Sequence, residues 1–255
     1  MLLPVHPRAP CAGVVELSRE VHQGFTRFWL TRHATLVGSV DMRENYRAQL
    51  RELNENLATM AATVSQCMGD ATRALLSADL DLIERVISTD SGVDVARATV
   101  EEDAYGLLAL QAPVAGELRR VVSAMHTAES LERMGDLARH VATSARRRHP
   151  AAVLPESVCA YFDRMGKTAV TLAGSAERTL RSGDVALASG MADDDDEMDQ
   201  LHRELITVLL DPAWSHGAAV AVDVAQLARF YERFADHAVS VARQVVFVAT
   251  GEHPQ

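Results

Sequence analysis

Two segments of this 255-residue sequence, Glu132-Arg133-Met134-Gly135-Asp136-Leu137-Ala138 and Glu232-Arg233-Phe234-Ala235-Asp236-His237-Ala238, share the pattern E-R-x-x-D-x-A at an offset of 100 residues. Carboxylates at i and i+4 lie on one face of an α-helix, so the pattern predicts one helical unit present twice. The correspondence extends upstream. Asp90-x-x-x-Asp94 recurs as Asp195-x-x-x-Asp199, and Ser77-Ala78-Asp79 as Ser182-Gly183-Asp184, both at an offset of 105. One consistent shift, changed once around Asp211-Pro212, is what a tandem repeat with an indel in a loop shows.

Composition says what the repeated unit is made of. Hydrophobic residues make up 48% and aromatics only 5%, with few Gly and Pro for the length, which favours packed helices over sheets. Breakers then divide the chain into six stretches. These run from about Arg43 to Ser77, Leu80 to Gln111, Val114 to Arg148, Glu156 to Leu180, Val185 to Leu210 and Gly217 to Thr250. The expectation is an all-α fold of two tandem three-helix bundles, residues 42–150 and 151–255. Arg146-Arg147-Arg148 suits the negative end of the third helix. Residues 1–41, with Pro4, Pro7 and Pro10, read as an N-terminal extension, either disordered or lying ahead of a start at Met42. A weak amphipathic stretch lies within it, near Val15 to Leu30.

Small residues recur every seven positions on each third helix: Val121, Ala128, Gly135 and Ala142, then Ala221, Ala228, Ala235 and Ala242. Such a seam marks a face closely approached by a neighbouring helix. The acidic pairs lie along its flank, beside a groove rather than on the polar back of the helix. A three-helix bundle can bring together Asp90, Asp94, Glu132 and Asp136 in the first unit, with Glu129 one turn earlier, and Asp195, Asp199, Glu232 and Asp236 in the second. Crowded like charges repel unless a cation lies among them, and all-oxygen donors suit hard cations or carboxylate-bridged iron. His126, His140, His202 and His237 are near enough in sequence to add nitrogen. The plainer reading stays open: solvated acidic faces, with Arg133 and Arg233 forming ordinary ion pairs. The run Asp193 to Glu197 reads as a solvated helix start.

Other classes are disfavoured. Net charge is −10 and the pI about 5.4, which argues against nucleic acid. Three cysteines without C-x-x-C spacing argue against a disulfide framework and for a reducing cytoplasm. Cys67 reads as a buried small hydrophobe, and Met60, Met68 and Met125 as core filler. No apolar run approaches the roughly 18 to 20 residues of a membrane span. Nucleophile elbow, P-loop, dinucleotide fingerprint and H-E-x-x-H are absent, so no enzymatic activity is expected. The alternative is a carboxylate-bridged, metal-binding helical-bundle enzyme. The paired Glu-x-x-His of ferritin-like sites is missing, and Asp199-x-x-His202 is the nearest approach.

The two E-R-x-x-D segments resemble the repeated E(D)-x-x-x-D motif of the PhoU proteins of bacterial phosphate signalling. Pro113-Val114-Ala115-Gly116-Glu117-Leu118-Arg119 is similar to that family's P-x-A-x-D-L-R segment, with Glu117 where Asp is usual. The likeness spans about Arg43 to Glu252, and its ending, Phe247 to Glu252, looks most like the actinobacterial members. It implies bundles related by a pseudo-twofold axis, often in homodimers. It implies a cytoplasmic negative regulator of the phosphate-starvation response and of phosphate uptake, which relays the state of the Pst phosphate ABC transporter to a sensor histidine kinase. Membrane contact would then run through partners only. Some members carry multinuclear metal at the repeated motif and others none. The resemblance therefore implies iron, or magnesium, manganese or zinc, held by Glu132, Asp136, Glu232 and Asp236 with Asp90, Asp94, Asp195 and Asp199 opposite.

Overall fold

The computed structural model describes residues 39–252, and the N-terminal readings before Ser39 lie outside that range. By its internal contacts the chain divides at Asn45/Tyr46. The first unit is described only over the opening turns of one helix. Apart from the start of that helix, everything below concerns residues 46–252.

Six helices make up the described structure: α1 (Ser39–Ser77), α2 (Leu80–Gln111), α3 (Gly116–Arg148), α4 (Glu156–Ser182), α5 (Val185–Leu210) and α6 (Ala218–Thr250). The all-α expectation is met, and no strand occurs among the described residues. Local chemistry explains the boundaries. Asp79 and Asp184 each cap a helix in the same way, the carboxylate accepting from two backbone N–H groups: Asp81 and Leu82 in α2, Ala186 and Leu187 in α5. The residues before these caps, Ala78 and Gly183, both have positive φ, 53° and 67°. The repeat noticed in Ser77-Ala78-Asp79 and Ser182-Gly183-Asp184 is thus a repeated turn with a repeated cap.

Four bounds and one reading differ from expectation; α4 runs on to Ser182 and α6 begins at Ala218. α1 begins at Ser39, four residues before Arg43. α3 begins at Gly116 rather than Val114, because Ala112 and Ala115 take positive φ around Pro113 and hold the chain out of the helix. The acidic run Asp193 to Glu197 lies inside α5, not at its start. Asp184 supplies the cap, so the run is a mid-helix face with its outer members in solvent.

Within each triplet successive helices pack on one another, and α3 meets α2 along the small-residue seam. Gly135 is where that seam is tightest: an added Cβ would lie 3.3 Å from Val93 Cγ1 on α2. The triplets meet through two antiparallel pairs. In one, α1 lies on α4, with Asn54 Nδ2 donating to the Leu180 carbonyl at 2.6 Å and Ser65 Oγ to that of Val170 at 3.4 Å. Thr72 reaches so close to Gly166 that a Cβ there would fall 2.4 Å from its Cγ2. Thr72 also shares a 3.0 Å hydrogen bond with the hydroxyl of fully buried Tyr231 on α6. In the other pair α3 lies on α6, from the Arg148–Asp223 ion pair through His140 against Phe230 to Arg119 against Gly251. Overlaying the first triplet on the second exchanges α1 with α4 and α3 with α6, which is the pseudo-twofold relation.

The buried apolar side chains of all six helices form one continuous cluster, with Phe162, Tyr231 and Phe234 its largest members. Met60 and Met68 lie inside it and Met125 packs against it. Cys67 is buried too, and burial pushes its thiol up to about 11, so it stays protonated and unreactive near neutrality.

Candidate functional site

Each acidic set lies where the middle and third helices of a triplet face one another. Heptad packing sets this: the small residues of α3 and α6 bury their seam, and Asp136 and Asp236, one position beyond Gly135 and Ala235, are carried to its margin. Depth within the groove is graded. Asp90 is 15% exposed and Glu232 13%, whereas Asp94, Asp199 and Asp236 are open to solvent. The inner members can therefore feel burial, while the outer ones have room to turn.

In the first groove, Asp90 and Asp94 on α2 face Glu132 and Asp136 on α3, close enough that each set feels the other's charge. Three arginines join them. Arg139 bridges the helices, its Nε 2.5 Å from Asp90 Oδ2 and its Nη2 2.6 Å from Asp136 Oδ1. Arg133 lies 3.6 Å from Glu132 and 3.3 Å from Asp136, the ordinary ion pair expected for it. Arg97 pairs with Glu101 and lends positive charge towards Glu132. Burial still raises the Asp90 and Glu132 carboxyls above their usual range, with Arg139 and Arg133 respectively opposing it.

The second groove has the same donors and fewer cations. Asp195 and Asp199 on α5 face Glu232 and Asp236 on α6. Burial, then Asp236, Asp199 and Glu232 in turn, push the Asp195 carboxyl up to about 6. Arg229 pairs with Glu232 through Oε1, but Glu232 Oε2 is buried with no hydrogen-bond partner. Among the described residues no Lys or Arg forms an ion pair with Asp195, Asp199 or Asp236.

All eight predicted residues thus fall into the two predicted groups of four. Among the described residues, however, no three acidic, His or Cys side chains converge into a cage for an ion. The second groove offers the donor type that hard cations take, without the convergence that holds one. It is all oxygen, it is largely uncompensated, and it holds one orphaned buried carboxylate oxygen. The first groove fits less well, since Arg139 already occupies the bridging position. His140, His202 and His237 have their basicity lowered chiefly by burial. A separate groove of about 390 Å³ between α1 and α2, lined by Asn56, Thr59, Thr63, Thr89 and Thr99 among others, contains none of the carboxylates.

Arg139 escaped the reading of the motif, which looked only at the arginine inside it. A signal was available: Arg139 is three residues beyond Asp136, one helical turn along the same flank.

The PhoU domain model matches residues 57–145 and again 162–245, one match over each acidic groove. The chain belongs to the PhoU family. It is 54% identical over 213 residues to the phosphate-specific transport system accessory protein PhoU homolog 2 of Mycobacterium tuberculosis, covering 84% of this chain and 100% of that protein. PhoU homolog 1 of Mycobacterium leprae is 52% identical over 214 residues, covering 84% and 96%. Among solved structures, the phosphate transport system regulatory protein PhoU from Streptococcus pneumoniae superposes with a TM-score of 0.74. It is 24% identical, over 82% of this chain and 99% of that one. PhoU from Pseudomonas aeruginosa gives 0.71, also at 24% identity, over 81% and 100%. Both share the PhoU fold of tandem helical bundles seen here.

Proposed function

We propose that this PhoU-family chain is a cytoplasmic, non-catalytic accessory regulator of a phosphate-specific transport system. In this reading it restrains uptake when phosphate is plentiful and holds the starvation response off by relaying the transporter's state to a sensor histidine kinase. The observation that carries it is the alignment, over half identical, with the whole length of a relative named as an accessory protein of that system. A composition without enzymatic motifs agrees with such a role. So does the lack, among the described residues, of any helix long and apolar enough to cross a membrane. We read the two matched segments as two bundles working as one body, because their apolar side chains belong to a single core.

The mechanism is one of linkage. If one state of the transporter or the kinase binds the chain more tightly, the chain populates that state by its difference in affinity. The helical surfaces supply the docking area, and the paired grooves supply either bound metal or acidic patches. A homodimer belongs to the same reading, and solution mass measurement tests it. The pathway is tested by deleting the gene, together with any paralogue, in phosphate-rich medium. Phosphate-starvation genes should switch on; unchanged expression sinks the regulatory reading.

A further inference from the structure

Arg139 has no counterpart in the second half, where the repeat places Val239. Between the first and second helices of each triplet the halves diverge in the other direction. The groove between α1 and α2 is open. Its space of about 390 Å³, bounded by Asn56 and Thr99 at one end, adjoins a further 350 Å³ that reaches Asp70 and Arg85. Both are lined by Thr59, Thr63 and Thr89, so they form one furrow, and from Asn56 to Asp70 it follows about 21 Å of helix. The hydroxyls of Thr59, Thr63, Thr89 and Thr99 donate to the carbonyls of Glu55, Thr59, Arg85 and Val95 on their own helices. The walls therefore offer methyl groups and no free hydroxyl donor. Gly92 stands in the interior of α2, where glycine weakens a helix, yet a Cβ added there would meet nothing within 4 Å. In the second half the same places are filled. At the offset of 105, Thr59 corresponds to Arg164 and Gly92 to Glu197, which pair at 3.4 Å across α4 and α5. Val93 and Ala96 correspond to the larger Met198 and Leu201, both buried.

We propose that the α1–α2 groove docks an amphipathic helix of a protein partner, with large aliphatic side chains in the groove and a carboxylate against Arg85. The groove selects that occupant. Its floor, over Met60, Val93 and Ala96, carries no charge, so the inserted surface must be apolar. Thr59, Gly92 and Thr99 on its rim are exposed, so the far side of any occupant stays in water. A lipid chain would leave apolar surface there, whereas an amphipathic helix turns a polar face outward. Small side chains between two helices also admit the ridge of a third. A second copy of the chain, meeting groove to groove, supplies no ridge to fill it. Charge fixes the remaining contact. Asp70 is buried and engaged by Gln66 and Arg73, whereas Arg85 is exposed and forms no ion pair among the described residues. A carboxylate on the partner helix answers that guanidinium. The identity of the partner rests on the regulatory reading above; the groove itself does not.

The test measures the affinity of the full-length chain for the purified phosphate transporter and for the purified full-length sensor kinase, each in detergent micelles. Thr59→Arg/Gly92→Glu copies the Arg164–Glu197 closure into the first half. It should weaken binding to one of the two by about tenfold or more, with an unaltered circular dichroism spectrum. Ala96→Leu, copied from Leu201, asks the same question if the double variant fails to fold. Arg85→Glu should weaken the same binding by setting a carboxylate against the partner's own. Photo-crosslinking benzoylphenylalanine in place of Thr59 should join a partner segment with apolar residues at helical spacing and a carboxylate; in place of Arg164 it should not. Full affinity in a folded Thr59→Arg/Gly92→Glu or Ala96→Leu variant overturns the groove and leaves the regulatory reading standing. An unaltered chain that binds neither protein overturns both. Equal crosslinking from the two positions, or crosslinks from the first to lipid or to a second copy of the chain, overturns the assigned occupant.

Discussion

Asp90 and Asp195 occupy the same position in the two halves, yet their carboxyls are pushed up by different amounts for a visible reason. Burial raises both. At Asp90 the Arg139 guanidinium works against burial, whereas at Asp195 every neighbour that contributes is another carboxylate, and its carboxyl reaches about 6. Duplication retained the acidic donors and let the counter-charges diverge. A repeated motif therefore does not mean two equal sites, because the charge state of a carboxylate depends on what the adjacent helix brings to it.

Removing the bridge should have the largest effect on this comparison. Arg139→Ala leaves Asp90 without a cation and Asp136 with Arg133 alone, and should cost about 1–3 kcal/mol in urea unfolding at neutral pH. An unchanged midpoint would mean that the bridge contributes nothing and that the grooves are energetically alike. Next comes neutralising the repelled carboxylate. Asp195→Asn should stabilise the chelator-treated chain at pH 7 by on the order of 1 kcal/mol once solvent screening is allowed for. Asp90→Asn should give less, because it also removes a partner of Arg139; equal gains would erase the distinction.

The pH dependence sharpens the same point. A carboxyl raised in the folded chain binds its proton there before it does so in the unfolded chain. Its favourable contribution is complete below the unfolded value of 3.8 and is lost as pH rises through about 6. Stability of the chelator-treated protein should fall over that window, and Asp195→Asn should flatten the fall more than Asp90→Asn does. A profile insensitive to Asp195→Asn would contradict the charge crowding described for the second groove.

The smallest effects belong to the repeated turn. Gly183→Ala places a Cβ in a left-handed conformation and should destabilise by roughly 1 kcal/mol. Ala78→Gly at the equivalent turn should relieve that cost and stabilise by a fraction of it. Changes of the same sign in thermal melting would show that the turns are not equivalent.

Much of this architecture was legible in the residues. Pro113, Pro155, Gly183 and Pro212 punctuate the helices, and the sevenfold recurrence of small residues located the buried seam. Other details were not. Periodicity says which face a residue occupies but not how deep it lies, so Asp94 and Asp199 looked equivalent to Asp90 and Asp195 and proved far more exposed. The acidic run in α5 looked like a helix start because the true cap, Asp184, lies well upstream of it.

By itself the sequence determined the six helices, their grouping by threes and the two sets of four carboxylates. These follow from local signals: caps, breakers and the helical repeat. Only the tertiary structure decided which cation each set meets. Arg139 acts on Asp90 from another helix, some fifty positions away in the chain, and Val239 withholds the same contact from Asp195. Electrostatic balance depends on distance and burial across packed helices, and no spacing within one helix encodes either.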